Sequence, residues 1–483
     1  MMRLERKKLR LGVAATRRDS WAAPKAFENY RAIMAWLSGK ADQYDIELID
    51  MSELKFEDKE VVFGKEIRKM KADVLLTDYE DAVIAAEHFK RKKVDALFFP
   101  FCDFGQEEAV AKLAKEVRVP VLIWGPRDEM PVGMEWRPTD TQCGLFAASK
   151  VLQRYGIQFT YIENCRLEDP LFEKEFLKFI RCADIVSAFR SLRILQLSVR
   201  PQQFLGVMVN EGELLERFGI EVVPVTTSEL FAEIARAEEE DQEEIESFCR
   251  ETKEILRSSG TLNPSETGKH LEVLGAVTAG IMRLAKKYRC TAAACECWHE
   301  IVCRYDISPC FALGELNERG LPCACEMDIH GAVSSVIAAA ANRYREPSFL
   351  ADLTIRHPDQ DNVELLWHCG PFAKSLKDPK QEGYVAETGQ GYYPLKKGGL
   401  TIVRFDGCRG RYQCFAGYGK SVEGPVTNGN YVWLETEDWP AWEKKFIYGP
   451  YIHHVSGVFG DYREEIKEAC RYLGITYDAP ELP

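Results

Sequence analysis

The chain has 483 residues, 46% of them hydrophobic and 29% charged, which is the composition of a soluble globular protein too long for one hydrophobic core. Its 63 Lys and Arg against 76 Asp and Glu give a formal charge of −13, which argues against a general affinity for nucleic-acid phosphates and favours a small neutral substrate. No run of 18 apolar residues occurs, and the basic start "MMRLERKKLRLGVAATRR" has too short an apolar stretch for a signal peptide, so no membrane contact and a cytoplasmic location are expected.

Taken in chain order, residues 1–165 alternate apolar strand-like runs, "RLGVAAT" (10–16), "DIELIDM" (45–51), "VDALFFPF" (94–101), "VPVLIWG" (119–125) and "FTYIEN" (159–164), with amphipathic stretches such as 24–40 and 106–117. Continuous apolar strands separated by helices predict a parallel sheet covered on both faces, a doubly wound α/β domain. Residues 166–345 repeat the pattern with "RILQLSV" (193–199), a helical "VNEGELLERFG" and "IEVVPVT" (220–226). The acidic stretch 229–257 carries charge on most faces and reads as a solvated helical connector. The segment "GTLNPSETGKH" fails the phosphate-loop spacing and reads instead as a helix start, with Asn263 as cap, Pro264 at the first helical position and Glu266 two residues on. From 346 to 483 the runs shorten to "LADLTIRH", "NVELLWHCG", "LTIVRFDG", "RYQCFAGYG" and "NYVWLE", which predict a β-rich barrel-like or sandwich domain. A final amphipathic helix ends at Gly474.

Sixteen cysteines are too dilute for a disulfide scaffold. Six of them, Cys295, Cys297, Cys303, Cys310, Cys323 and Cys325, still crowd together. Their C-x-C pairs alternate in step with a strand and lack the double C-x2-C spacing of zinc ribbons, so they read as strand packing.

The acids near them are harder to explain away. Glu326 ends the apolar strand "LPCACE" just before a small-residue helix "GAVSSVIAAAANR", and strand ends are where α/β folds bind ligands. Asp352 sits inside the apolar strand "SFLADLTI", where an unpaired acid costs several kcal/mol. With one helix between them, the two can return to one point. The plainer reading gives each a helix N-terminus or a nearby arginine, Arg343 or Arg356. Against it stands "GPYIHHVSGVFGD", which carries His453 and His454 in an apolar setting; a histidine with two carboxylates is a standard ligand set for Mn²⁺ or a similar divalent ion.

Together "PCACEMDIHGAVSS", "FLADLT", "WHCG" and "GPYIHHVSGVFGD", with the opening "LGVAATRRD" and Cys297–Trp298, resemble the L-fucose isomerase-like family of the L-fucose/L-arabinose isomerase superfamily. The resemblance implies an aldose–ketose isomerase with two α/β domains and one β-rich domain, assembled as a homotrimer or homohexamer. By motif match Glu326, Asp352 and His454 take the metal positions for Mn²⁺, or for Mg²⁺ or Co²⁺, and Arg17 matches an arginine that reaches a neighbouring subunit's site. Such an enzyme moves a proton between C1 and C2 through a cis-enediol, with an ion gripping O1 and O2. Glu326 is assigned as base and Asp352 as ligand and partner acid/base, with the exchange of these two roles left open.

Other residues are candidates with plainer alternatives. His368 can serve as a fourth ligand or a substrate contact rather than a core residue. Trp298, Trp439 and Trp442, with His453, are candidate substrate contacts, although tryptophans more often fill cores; Asp328 can support the ligands from behind. The doubled "HH" and Cys297 depart from the best-known members, which leaves fucose, arabinose, another pentose or an anionic sugar open as substrate. A non-catalytic sugar receptor and a metal-dependent aldolase or epimerase are the competing readings.

Overall fold

The computed structural model describes residues 3–18, 23–63, 66–70, 74–134, 137–256 and 267–480. The chain forms two compact units, Lys7–Asp184 and Met1–Arg6 with Ile185–Pro483.

In the Lys7–Asp184 unit, β1 (Leu9–Val13), α1 (Ala23–Lys40) and β2 (Ile46–Ile49) are followed by an antiparallel hairpin of β3 (Lys59–Phe63) and β4 (Glu66–Met70). Then come α2 (Tyr79–Lys92), β5 (Ala96–Pro100), α3 (Glu107–Val117), β6 (Val121–Trp124), α4 (Thr141–Arg154), β7 (Thr160–Tyr161) and most of α5 (Pro170–Arg190). The five main strands form a wholly parallel sheet in the order β2-β1-β5-β6-β7. Strand β5 explains why the run "ALFFP" is continuously apolar: Phe98 points into a core with Leu11, Trp124 and Phe176, and Phe99 into the opposite core with Phe89 and Ile123. Each fully buried phenylalanine contributes about 1.5–3 kcal/mol.

The second unit opens with another parallel sheet. Its elements are β8 (Arg193–Leu197), α6 (Glu211–Phe218), β9 (Glu221–Val225), α7 (Thr227–Glu240), α8 (Gln242–Leu256), α9 (Thr267–Tyr288), β10 (Ala292–Cys295), α10 (Glu300–Tyr305), α11 (Cys310–Glu318), β11 (Cys323–Ala324) and α12 (Ile329–Ala341). The strand order is β11-β10-β8-β9. The acidic stretch is not a solvated connector. It is two helices, and Leu230, Ile234 and Ala237 of α7 and Ile245, Phe248 and Leu256 of α8 are buried; the apolar stripe at helical spacing outweighs the charge on the other faces. Arg283 of α9 bridges to Glu233, Glu240 and Asp241. The cap expected at Asn263 to Glu266 lies outside the described residues.

The remaining elements are β12 (Phe349–Arg356), β13 (Val363–His368), β14 (Tyr384–Val385), β15 (Gly391–Pro394), β16 (Gly399–Cys408), β17 (Arg411–Val422), β18 (Asn430–Glu435), α13 (Trp439–Tyr448), β19 (His454–Phe459), α14 (Arg463–Leu473) and β20 (Thr476–Asp478). Strands β18-β13-β12-β19-β16-β17 are antiparallel neighbours, and pairing of β17 with β18 closes them into a barrel. The fold is therefore α/β, with parallel sheets followed by a C-terminal antiparallel barrel. No described helix is long and apolar enough to cross a membrane.

Candidate functional site

Barrel register sets the site. Strands β12 and β19 pair Asp352 directly with His454, and residues facing each other across an antiparallel pair present side chains on the same face. On its other side Asp352 pairs with Trp367, one residue before His368. Glu326 arrives from the tight turn between β11 and α12. There Glu326 and Met327 both hold left-handed backbone, with φ of 59° and 58°, a conformation that non-glycine residues adopt at a cost. The turn ends at Asp328, whose carboxylate caps α12 by accepting the Gly331 N–H at 2.8 Å.

These elements deliver donors to one place. His454 Nε2 lies 3.1 Å from Glu326 Oε2 and 3.3 Å from Asp352 Oδ1. His453 Nε2 and His368 Nε2 stand 3.8 and 3.9 Å from the same Asp352 oxygen. Asp352 Oδ1 and His368 Nε2 are buried and have no hydrogen-bond partner. A buried, unpartnered carboxylate oxygen ringed by imidazole nitrogens and a second carboxylate is costly as it stands and suits a divalent cation. The donor set fits such an ion.

Behind the donors runs a buried charged chain. His454 Nδ1 is 2.8 Å from Asp328 Oδ2; Asp328 also accepts from Arg404, which reaches on to Asp406 at 2.6 Å, and Asp406 meets His330 Nδ1 at 2.8 Å. Burial opposes the charge on Asp328, but Arg404 and His454 outweigh it and hold the carboxyl well below its ordinary range. Burial likewise opposes a proton on His454, yet its hydrogen bonds to Asp328 and Glu326 raise it to about 10. With Asp328 ionised, Nδ1 keeps its hydrogen and Nε2 is the atom left for an ion, the carboxylate–histidine arrangement typical of metal sites. Burial works against ionised Glu326 as well, but the His454 hydrogen bond prevails and its pKa lies below the usual carboxylate range.

An aromatic wall borders the donors. Trp298 Nε1 donates to Glu326 Oε1 at 3.0 Å. Phe204 stacks on Trp298 at 5.7 Å and on His453 at 5.9 Å between ring centres. His368 Nδ1 accepts the Cys369 backbone N–H at 2.9 Å, so its hydrogen sits on Nε2 and the ring is a donor facing the site rather than a ligand. Thus Glu326, Asp352, His454, His453, His368 and Trp298 are brought together. Trp439 is not: it is buried on α13 against Trp442. Arg17 lies in the other unit, buried, with its N–H on the Leu76 carbonyl at 3.2 Å.

Sequence reasoning missed Phe204, Arg404, Asp406 and His330. For Arg404 and Asp406 a signal exists, two opposite charges at i and i+2 inside the apolar strand "LTIVRFDG". Phe204 sits in an irregular loop with no motif to mark it.

Residues 12–190 match the family model described as the N-terminal domain of fucose/sulfoquinovose isomerase. The sulfoquinovose isomerase of Priestia aryabhattai is 26% identical over 416 residues, 83% of this chain and 89% of the relative. That of Alkalicoccus urumqiensis is 24% identical over 394 residues, 79% and 85% of the two chains. Among solved structures, a periplasmic solute binding protein of an ABC transporter from Actinobacillus succinogenes 130z, with bound D-allose, aligns with 70% of this chain and 94% of its own at 14% identity and a TM-score of 0.18. So low a score carries no argument for a receptor.

Proposed function

We propose that the chain, which is similar to fucose/sulfoquinovose isomerases over its N-terminal residues 12–190 and to sulfoquinovose isomerases over most of its length, is an aldose–ketose isomerase of the L-fucose isomerase-like family dependent on a divalent ion, Mn²⁺ or a similar one, held by Glu326, Asp352 and His454. The observation that carries this reading is the meeting of both carboxylates at one imidazole nitrogen, with Asp352 Oδ1 left unpartnered. An ion held by these residues would supply Lewis-acid polarisation and would offset the negative charge that develops on the sugar oxygens.

The residues divide the proton work. Glu326, kept ionised chiefly by His454 and oriented by the Trp298 N–H, removes the C2 proton of the open-chain aldose and delivers it to C1 of the cis-enediol. Asp352 serves the hydroxyl proton that must pass between O2 and O1. The His368 Nε2–H donates to a sugar hydroxyl, and Phe204 with Trp298 offers a flat apolar face to the carbon skeleton.

Sulfoquinovose is the first substrate to try, because the matched relatives carry that name; L-fucose and L-arabinose complete the panel. A homotrimer or homohexamer in which Arg17 serves a neighbouring subunit's site, working in the cytoplasm, completes the proposal; cysteines that form no disulfide among the described residues accord with a reducing compartment. Ketose formation is to be followed by product analysis, with light scattering for the assembly. Glu326→Gln is expected to cost about 10²–10⁴-fold in turnover. Full turnover in that variant removes Glu326 from the mechanism, and a product epimerised at another carbon replaces isomerisation with epimerisation.

A further inference from the structure

Directly behind the site is a second cluster that the isomerase reading does not use. Cys297, Cys310 and Cys325 are buried and Cys369 nearly so. Cys310 Sγ lies 2.9 Å from Cys369 Sγ, and Cys297 Sγ lies 3.5 Å from Cys325 Sγ. The sulfurs of Cys310, Cys325 and Cys369 are all within 4.8 Å of one another. Tetrahedral zinc, with Zn–S near 2.3 Å, requires sulfurs about 3.8 Å apart, so small side-chain adjustments suffice.

We propose that Cys310, Cys325 and Cys369, with Cys297 as fourth ligand, form a zinc site separate from the carboxylate–histidine site. Its position suggests its purpose. Cys297 precedes Trp298, Cys325 precedes Glu326 and Cys369 follows His368, so one ion pins the ends of β10, β11 and β13 and the strained turn that presents Glu326. Cys310 opens α11, where the positive end of the helix offsets thiolate charge. Each thiol that binds releases its proton to solvent, and no oxidant is involved. The C-x-C spacing conceals this arrangement, because Cys295 and Cys323 stay in the sheet while their partners turn toward Cys310 and Cys369.

Cobalt in place of zinc tests this without recourse to activity. The full-length chain, purified under reducing conditions and freed of metal by chelator, is titrated with Co²⁺. The expected result is a near-ultraviolet thiolate-to-cobalt charge-transfer band that saturates at one ion, is displaced by Zn²⁺, persists in Asp352→Asn and is lost in Cys310→Ala and in Cys369→Ser. Oxygen and imidazole ligands give no such band, so loss of the isomerase reading leaves this result untouched. Absence of the band in the unaltered chain, its survival in both cysteine variants, or a mass two hydrogens short in the purified protein, which marks a disulfide, overturns the proposal.

Discussion

Asp328 serves two partners at once, capping α12 through the Gly331 N–H and holding His454 Nδ1. Asparagine there keeps the cap but loses the anion that Arg404 and His454 both need. Asp328→Asn is therefore expected to weaken Mn²⁺ binding about 10–100-fold and to destabilise the fold by about 3 kcal/mol, since Arg404 stays fully buried with Asp406 as its remaining carboxylate partner. Mn²⁺ titration and urea unfolding check the two effects separately. His454 makes a further consequence measurable. Because its pKa is raised to about 10, the metal-free protein holds a proton at pH 7 that an ion at Nε2 must expel; calorimetry of Mn²⁺ binding in buffers of differing ionisation enthalpy is expected to show about one proton released per ion. No net release means that the ion does not bind at His454. Asp352 was legible as a site residue because an acid interrupts an apolar strand. Phe204 was not, because an aromatic side chain in an irregular loop carries no periodicity to read.

Among the elements, β13 carries an acid that is out of place for a different reason. Glu364 is buried, and burial together with the neighbouring Glu443 carboxylate pushes it up to about 8. The folded state then holds a proton that the unfolded chain has already lost above about 4.5, so the stability this proton contributes is present below about pH 4.5 and is lost as pH rises toward 8. Glu364→Gln removes that slope. Thermal unfolding is expected to show the variant more stable than the parent at pH 8 and similar at pH 4.5; parallel curves at both values contradict the assignment. Elements with continuous apolar runs, such as β5 and β6, were readable from the chain because both faces are buried. The acidic pair α7 and α8 was misread because its charge count masks a narrow buried stripe, and the β3–β4 hairpin was not anticipated, being a charged pair of strands outside the main sheet.

For the whole molecule, alternation of strand and helix was enough to foresee two parallel sheets, and shortening strands enough to foresee a β-rich end. Closure of the barrel through β17 and β18, and the register that sets Asp352 against His454, join residues far apart in the chain and leave no local pattern. Cys297, Cys310 and Cys325 were noticed but read as strand packing, because Cys369, which joins Cys310 and Cys325, lies further along the chain and outside the C-x-C pattern. The central claim is that Glu326, Asp352 and His454 hold one divalent ion on which isomerisation depends. Its most direct test pairs metal content with turnover: the full-length chain and Asp352→Asn are stripped by chelator, checked by elemental analysis, restored with Mn²⁺, and assayed for bound Mn²⁺ by electron paramagnetic resonance and for ketose formed from sulfoquinovose, L-fucose and L-arabinose. The unaltered chain is expected to recover the ion and turnover together and Asp352→Asn to recover neither, whereas isomerisation at an undiminished rate by the metal-free chain contradicts the claim.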